Sequence, residues 1–438
     1  MESMIFDRTI DPGRLFLRTF LKQVEMVPDA SAVISGDRAL TYGEIRHYSG
    51  DLAARLQILR IKTGAAVAVV MQNGWEPVVA SLGILLAGGA FAPVDITGLG
   101  KELGRRLDEI GADIVVTTPA LLASGLDFGR KRRVVVIDRA STSTVDGAAI
   151  DDDPKPGQLA CVIHRGDAGG GRGRRVKVNH AQLAQAVQDF SKQTRIDGQD
   201  RLVSVDPFDS EAFICCVFSS LAVGGTVVLP LAAELNDPTR WLELVDDYDV
   251  TVWSSTPSAM QRLVMEGEAH PAFSLATLRL AALDCEWMPV RLPTEIERAM
   301  PGARVAAFHT DLDDGASPNR RLELIDPVWT TGLYRRLPAG HDATHHFHVL
   351  SGGLEDCAPL VPGDLYVGSP TPPPTRWPFG SPARSVAVRR PNSSESLLRT
   401  GYRARRRPDG GIEFAPWLDR KTFAVSKAPS VWWARARA

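Results

Sequence analysis

Several patterns that would narrow the function are absent from this 438-residue chain. It has five cysteines but no Cys-x-x-Cys pair. That scarcity argues against a zinc ribbon or a disulfide scaffold, and it favours buried thiols in a reducing compartment such as the cytoplasm. The formal net charge is −2, so the overall charge does not indicate nucleic-acid binding. The N-terminus contains acidic side chains and no apolar core of signal-peptide length.

One uncharged run, residues 212–232, is long enough to be considered as a membrane span. Gly224 and Gly225 divide it, and the second part reads as a strand. The run therefore predicts a buried helix followed by a buried strand, and no membrane association. The adjacent thiols Cys215 and Cys216 fall inside it and are expected to be buried and inert.

The remaining pattern is that of a soluble α/β protein, with 44% hydrophobic and 23% charged residues. Short runs rich in valine and isoleucine alternate with helical patterns, which predicts mostly parallel sheets covered by helices. The predicted helices are 42–59, 75–86, 101–110, 181–193, 211–222, 238–244, 258–266 and 293–300. The predicted strands are 66–71, 114–117, 134–137, 226–229, 250–253 and 278–283.

A glycine-rich basic turn lies between residues 161 and 183, CVIHRGDAGGGRGRRVKVNHAQL. An apolar run enters it, and a strand and then a helix leave it, which is the arrangement of a phosphate-binding loop. Yet residues 166–175 contain no serine, threonine or lysine, and Asp167 adds a negative charge where phosphates would lie. The turn is interpreted either as an exposed basic loop or as a phosphate site, with the first reading favoured.

Several motifs then follow in one order: LTYGEI at 40–45, ILLAGGAFAPVD at 84–95, FDSEAF at 208–213, VPGDLYVG at 361–368 and LLRTGYRARRRPDGGIEF at 397–414. Together they resemble the N-terminal core of nonribosomal peptide synthetase adenylation domains, in the superfamily of AMP-forming ligases. The resemblance implies an α/β fold with two large, mostly parallel sheets flanked by helices, plus a small distorted β-barrel. It also implies a core over residues 1–425 and a short tail over 426–438. The mobile C-terminal subdomain of the family is expected to be absent.

The resemblance also assigns an amino-acid pocket. The aspartate that binds the substrate amino group in the family matches Asp209, with Ser210 and Phe213 as lining neighbours. Asp209 could instead, or in addition, cap the helix that begins near Ser210. The family's Gly-Gly-Glu matches Asp284, Cys285 and Glu286, so side chains are expected to fill the pocket floor.

Most nucleotide-binding positions, by the same match, carry altered side chains. Leu312 stands at the place of the magnesium-binding glutamate, although a shifted register could offer Asp313, and leucine cannot ligate a hard cation. Tyr402 replaces the ribose-binding aspartate, and Trp417 replaces an arginine near the hinge, whereas the hinge aspartate is kept as Asp419. The remaining nucleotide-site positions are Gly169, Gly170, Gly171, Arg174, Phe308 and Asp311.

The resemblance and these departures predict a catalytically silent adenylation-like protein that binds or scaffolds in nonribosomal peptide biosynthesis. No catalytic residue, metal or cofactor is expected; ATP and magnesium belong only to the alternative, an amino-acid or acyl ligase completed in trans by a separate C-terminal subdomain. A third possibility is an amino-acid sensor.

The expected partners are a carrier protein, another synthetase or an MbtH-like protein. Trp432 and Trp433 could anchor such a partner or fold back into the cleft. The histidines of residues 341–348 are only a weak indication of zinc.

Overall fold

The computed structural model describes most of the chain between residues 15 and 415. The described residues are 15–96, 102–129, 132–138, 154–165, 174–285, 292–308, 323–325, 335–336, 346–369, 387–389, 396–406 and 412–415. Within some strands only the backbone is described. The chain divides into two units: Met1–Cys285 with Arg291–Pro327, and Glu286–Val290 with Val328–Ala438.

The helices and strands alternate through most of the first unit, as the sequence pattern predicts. Its helices are α1 Phe16–Met26, α2 Tyr42–Ile58, α3 Glu76–Leu86, α4 Leu103–Ile110, α5 Pro119–Ala123, α6 His180–Thr194, α7 Glu211–Val223, α8 Pro238–Asp247, α9 Pro257–Ala269 and α10 Leu292–Ala299. Its strands are β1 Ser31–Ser35, β2 Arg38–Thr41, β3 Ala66–Met71, β4 Ala90–Asp95, β5 Ile114–Thr117, β6 Arg133–Val136, β7 Leu159–Arg165, β8 Arg174–Asn179, β9 Arg201–Ser204, β10 Thr226–Val228, β11 Val252–Ser255, β12 Leu280–Asp284, β13 Arg304–Phe308 and β14 Glu323–Ile325.

Two mostly parallel sheets form the first unit, which confirms the predicted α/β class. One has the order β6-β5-β3-β4-β7-β8, and the other has the order β14-β13-β12-β11-β9-β10-β1-β2. Antiparallel pairs occur only at the ends of these orders: β7 with β8, β13 with β14 and β1 with β2. The other neighbours run parallel, so the carboxyl ends of their strands share one edge, where ligands bind in open α/β sheets.

The second unit contains an antiparallel sheet. Its strands are β15 Arg335–Arg336, β16 His346–Leu350, β17 Gly363–Ser369, β18 Ala387–Arg389, β19 Ser396–Arg406 and β20 Ile412–Ala415. They follow the path β15-β20-β19-β17-β16, and β18 pairs with β19. Among the described strands this path is open, so the closed barrel implied by the family resemblance is not seen in this part of the chain.

Local signals explain where several helices begin. In α2, the Thr41 hydroxyl accepts the Glu44 N–H at 3.1 Å, and the Glu44 carboxylate accepts the Thr41 N–H at 2.8 Å. In α6, Asn179 and Gln182 make the same reciprocal pair. Both are capping boxes, which satisfy backbone donors that the first turn of a helix leaves open.

All residues of helix α7 are buried. Its Phe218 ring stacks on Phe16 of α1 at 4.5 Å between centroids, and it shares one apolar core with Phe91 of β4 and Val252 of β11. The helix ends at Gly224, whose φ of 85° is a left-handed conformation that favours glycine. The predicted buried helix and strand are therefore confirmed as α7 and β10. Within the described part of the chain, no helix is both long and apolar enough to cross a membrane.

Candidate functional site

The loop between β9 and α7 carries the residues predicted to line the substrate pocket. Ser210 is the N-cap of α7, and its hydroxyl accepts the N–H of Phe213 at 3.1 Å. The alternative role of Asp209 as the helix cap is therefore wrong, because Ser210 takes that position. Phe213 is buried in the first turn of α7. Asp209 is thus left to make other contacts with its carboxylate.

The Asp209 carboxylate lies against the end of β4 and the helix α4. Its Oδ2 accepts the backbone N–H of Asp95 at 3.3 Å, and Arg106 Nη1 lies 3.8 Å from the same oxygen. Burial raises the pKa of Asp209, and the nearby Asp95 carboxylate raises it further. The Asp95 N–H and the Arg106 charge oppose that rise. The structure thus places a carboxylate and a guanidinium side by side at the carboxyl edge of the sheets.

Asn73 holds this loop in place. Its Nδ2 donates to the Asp206 carbonyl at 3.1 Å, and its Oδ1 accepts the Phe208 N–H at 3.0 Å. Asn73 follows β3 in one sheet and is buried, whereas Asp206 and Phe208 follow β9 in the other sheet. This side chain therefore joins the two sheets next to Asp209. Sequence analysis missed it, although a polar residue directly after a buried parallel strand is the signal that could have identified it.

A second aspartate between β9 and α7, Asp206, is buried. The Asp206 carboxylate accepts hydrogen bonds from the Ser254 hydroxyl at 2.9 Å and the Ser204 hydroxyl at 3.3 Å. Burial raises the pKa of Asp206 to about 6, even though these hydrogen bonds favour the charged form. Ser254 also contacts the Cys216 thiol at 3.3 Å. Burial raises the pKa of that thiol, in agreement with the prediction of an inert cysteine.

Comparisons with known proteins agree with this arrangement of sheets and loop. The family model of the AMP-binding enzymes matches residues 20–308. The chain belongs to the AMP-binding enzyme family.

Similar proteins within this family include large synthetases. The chain is 27% identical to pyochelin synthetase PchF of Pseudomonas aeruginosa, over 90% of this chain and 21% of that protein. It is 24% identical to the anguibactin system regulator of Vibrio anguillarum, over 81% of this chain and 33% of that protein. The chain thus spans a third or less of these two relatives. A solved nonribosomal peptide synthetase, FmoA3 in its AMPPNP-bound form, superposes with a TM-score of 0.71 at 30% identity, covering 94% of this chain and 44% of the other.

Two further predicted residues lie at the ends of neighbouring strands of the AMP-binding core. Cys285 follows β12, and its N–H donates to the carbonyl of Phe308 at the end of β13, at 2.8 Å. The Phe308 ring is buried and packs edge-on against Phe190 of α6 at 5.4 Å between centroids. Both residues share the carboxyl edge with the β9–α7 loop, because β9, β11, β12 and β13 run parallel.

Only the backbone is described at two other predicted positions. Arg174 begins β8 and pairs with Arg165 of β7 in an antiparallel hairpin that flanks the glycine-rich turn. Tyr402 lies in β19, at a break in register where three residues of β19 face one residue of β17. Such a bulge bends a strand and is frequent next to binding sites.

The rest of the predicted nucleotide site lies outside the described residues, as do the tail and some of the histidines of residues 341–348. The residues concerned are Gly169, Gly170, Gly171, Asp311, Leu312, Asp313, Trp417, Asp419, Trp432 and Trp433. Within the described part of the chain, no group of three or more histidine, cysteine, aspartate or glutamate side chains could hold a metal ion.

Proposed function

We propose that this member of the AMP-binding family does not adenylate a substrate on its own and acts as a binding or scaffolding subunit in nonribosomal peptide biosynthesis. The proposal rests on a contrast between the loop that carries Asp209 and the positions that match the family's nucleotide contacts. Asn73 and Ser210 brace the loop that carries Asp209. At the positions that match the family's nucleotide contacts, the side chains have changed.

The changed positions remove interactions of distinct kinds. Tyr402 cannot provide the two charge-assisted hydrogen bonds that a carboxylate makes with ribose hydroxyls, each worth about 1.5–3 kcal/mol. Leu312 offers no oxygen to magnesium. The glycine-rich turn contains no hydroxyl to hold a phosphate. Losses of several kcal/mol correspond to nucleotide binding weakened about a hundredfold or more.

The names of the relatives support this biosynthetic context. One is a pyochelin synthetase, and another is a regulator of the anguibactin system. A fold that is kept without its chemistry can still present a surface to a carrier protein, to another synthetase or to an MbtH-like protein. We expect a partner of one of these kinds.

A second function is favoured by one observation of its own. The AMPPNP-bound synthetase matches 94% of this chain at 30% identity, and Asp209 is retained at the pocket position. These features support an amino-acid or acyl ligase that uses ATP and magnesium and is completed in trans by a separate C-terminal subdomain.

Amino-acid-dependent exchange of pyrophosphate into ATP separates the two functions. The purified chain is assayed with each of the twenty amino acids, alone and with a free-standing C-terminal subdomain from its own pathway. We expect exchange at the no-enzyme rate throughout, and Tyr402→Asp should not restore it, since the missing groups act as a set. Exchange above background that is lost on deletion of residues 171–175 would establish the ligase instead.

A further inference from the structure

Three arginines lie together at the amino edge of the sheet that contains β9, β12 and β13, opposite the edge beside Asp209. Arg279 directly precedes β12 and Arg304 begins β13, and the Arg304 N–H donates to the Arg279 carbonyl at 2.9 Å. Arg195 follows the last turn of α6. Arg279 Nη2 donates to the Arg195 carbonyl at 3.0 Å, and Arg304 Nη2 donates to the Gln193 carbonyl at 3.2 Å. We call these three arginines the amino-edge cluster.

Within this cluster, Arg279 is matched with acidic partners. Its Nε donates to Asp200 Oδ1 at 2.8 Å, and its Nη2 pairs with the other oxygen of the same carboxylate. The hydrogen bonds to Asp200 raise the pKa of Arg279, and the charges of Asp200 and Asp197 add to that rise. The positive charge of Arg279 is therefore compensated by the protein itself.

The surroundings of Arg304 are of the opposite kind. Burial lowers its pKa, and the positive charges of Arg195 and Arg279 lower it further. The acceptor that the structure shows for its guanidinium is the neutral carbonyl of Gln193, because the buried acid at this corner, Asp200, pairs with Arg279 instead. The fold thus holds the charge of Arg304 beside other cations.

Capping of helix α6 accounts for only part of this arrangement. Positive charge is favourable at the end of a helix, and Arg304 Nη2 reaches a carbonyl there. Yet a guanidinium carries five N–H donors. Capping also does not explain why Arg195, which is exposed and has the left-handed φ of 54° that glycine usually takes after a helix, opposes the charge of Arg304. A bound anion accounts for both features, because it would accept further donors and offset the repulsion.

We propose that Arg195 and Arg304 bind a phosphate group at the amino edge of this sheet. Two positive charges match a phosphate monoester, whose charge is about −1.5 to −2 at pH 7. The planar fork of a guanidinium also matches two phosphate oxygens. The group belongs either to inorganic phosphate or to a phosphate ester. The inference goes beyond the proposed function and does not rest on it, because the cluster lies at the edge opposite the β9–α7 loop.

Isothermal calorimetry of the full chain with inorganic phosphate, and with methyl phosphate as a monoester, tests the site. Ionic strength is held constant with sodium chloride, since salt screens exposed charges. We expect saturable binding with a dissociation constant of about 1 mM or below. Acetate, a monoanion, should bind at least about tenfold more weakly. Tighter binding of methyl phosphate assigns the group to an ester, and tighter binding of inorganic phosphate assigns it to the free ion.

Matched variants locate the binding at this corner. Arg304→Gln and Arg195→Gln should each weaken phosphate binding at least about tenfold. Arg298→Gln is the control and should leave binding unchanged, because that arginine of α10 is 66% exposed and already pairs with Glu268 at 3.3 Å. Since Arg195 is exposed, its variant provides a second reading if Arg304→Gln does not fold.

Three results would overturn the inference: no saturable binding of either phosphate, equal binding of acetate and phosphate, or an equal loss of binding in Arg298→Gln and Arg304→Gln. None of these measurements involves ATP or pyrophosphate exchange. The amino-edge phosphate site and the proposed loss of adenylation are therefore tested separately.

Discussion

Two aspartates flank the same buried strand, β9, and their surroundings are opposite. Asp200 precedes the strand and accepts hydrogen bonds from the Asp197 N–H at 2.8 Å, the Thr251 hydroxyl at 2.7 Å and Arg279 Nε at 2.8 Å. Asp209 follows the strand, and its Oδ2 accepts the Asp95 N–H at 3.3 Å and lies 3.8 Å from Arg106 Nη1.

The pKa shifts of the two carboxyl groups follow this difference. Burial alone would raise the pKa of Asp200, but the hydrogen bonds from Arg279, Asp197 and Thr251 outweigh it, so the pKa is lowered. For Asp209, burial prevails and the pKa is raised. The comparison indicates that Asp200 is used for stability. At Asp209, which lies at the edge where α/β sheets bind ligands, the hydrogen bonds do not outweigh burial.

The largest expected effect is a difference in stability between variants of two arginines, Arg279 beside Asp200 and Arg106 beside Asp209. Arg279→Met leaves the Asp200 carboxylate buried with part of its charge uncompensated, so it should lower the free energy of unfolding by about 3 kcal/mol. Arg106→Met removes a contact to Asp209 that is 3.8 Å long, beyond hydrogen-bond distance, and should cost less than about 1 kcal/mol. Urea denaturation of both variants measures the difference. Equal costs would show that Asp209 is as much a structural residue as Asp200.

The buried carboxyl group of Asp206 should make the free energy of unfolding depend on pH. The pKa of Asp206 is raised from its ordinary value of 3.8 to about 6 in the folded chain, so the protonated group stabilises the fold. That contribution is complete below pH 4 and is lost as pH rises through about 6. A shift of about two units corresponds to about 3 kcal/mol.

Asp206→Asn keeps a neutral side chain at all pH values and serves as the comparison. The stability of wild type relative to this variant should fall between pH 4 and pH 7, as measured by denaturation at several pH values. A difference that is flat or rises over this range would contradict the raised pKa.

The sequence predicted the fold more completely than it predicted the site. The apolar run divided by Gly224 and Gly225 indicated α7 and β10, because burial patterns are local. The motif around Asp209 located the loop. Arg106 was not identified, since its proximity to Asp209 depends on how α4 packs against a loop about a hundred residues away. Helix α1 was also missed, because the pattern of residues 17–26 was not assessed.

A smaller effect is expected at the side chain that joins the sheets. Asn73→Ala leaves the Asp206 carbonyl and the Phe208 N–H buried without this partner, at a cost of about 2 kcal/mol. Gln158→Ala is a milder control, because that side chain makes one half-buried hydrogen bond, to the Gly88 carbonyl. Thermal unfolding measures both. If Asn73→Ala is no less stable than Gln158→Ala, the loop does not depend on this bridge.

The smallest effect concerns the cap of α7. Ser210→Ala removes one side-chain acceptor from the first turn and should cost about 1 kcal/mol. Thr256→Ala, at the more exposed cap of α9, whose hydroxyl accepts the Ala259 N–H at 3.4 Å, should cost less. Denaturation of the two variants ranks the caps. The reverse order would mean that the position of Asp209 does not rely on Ser210.

The central claim is that this AMP-binding fold keeps its substrate loop while the side chains that bind nucleotide have changed. Isothermal calorimetry of the purified chain with ATP and magnesium tests it most directly. We predict no saturable heat at micromolar nucleotide, since the changed positions should weaken binding about a hundredfold or more. A micromolar dissociation constant for magnesium ATP would contradict the account.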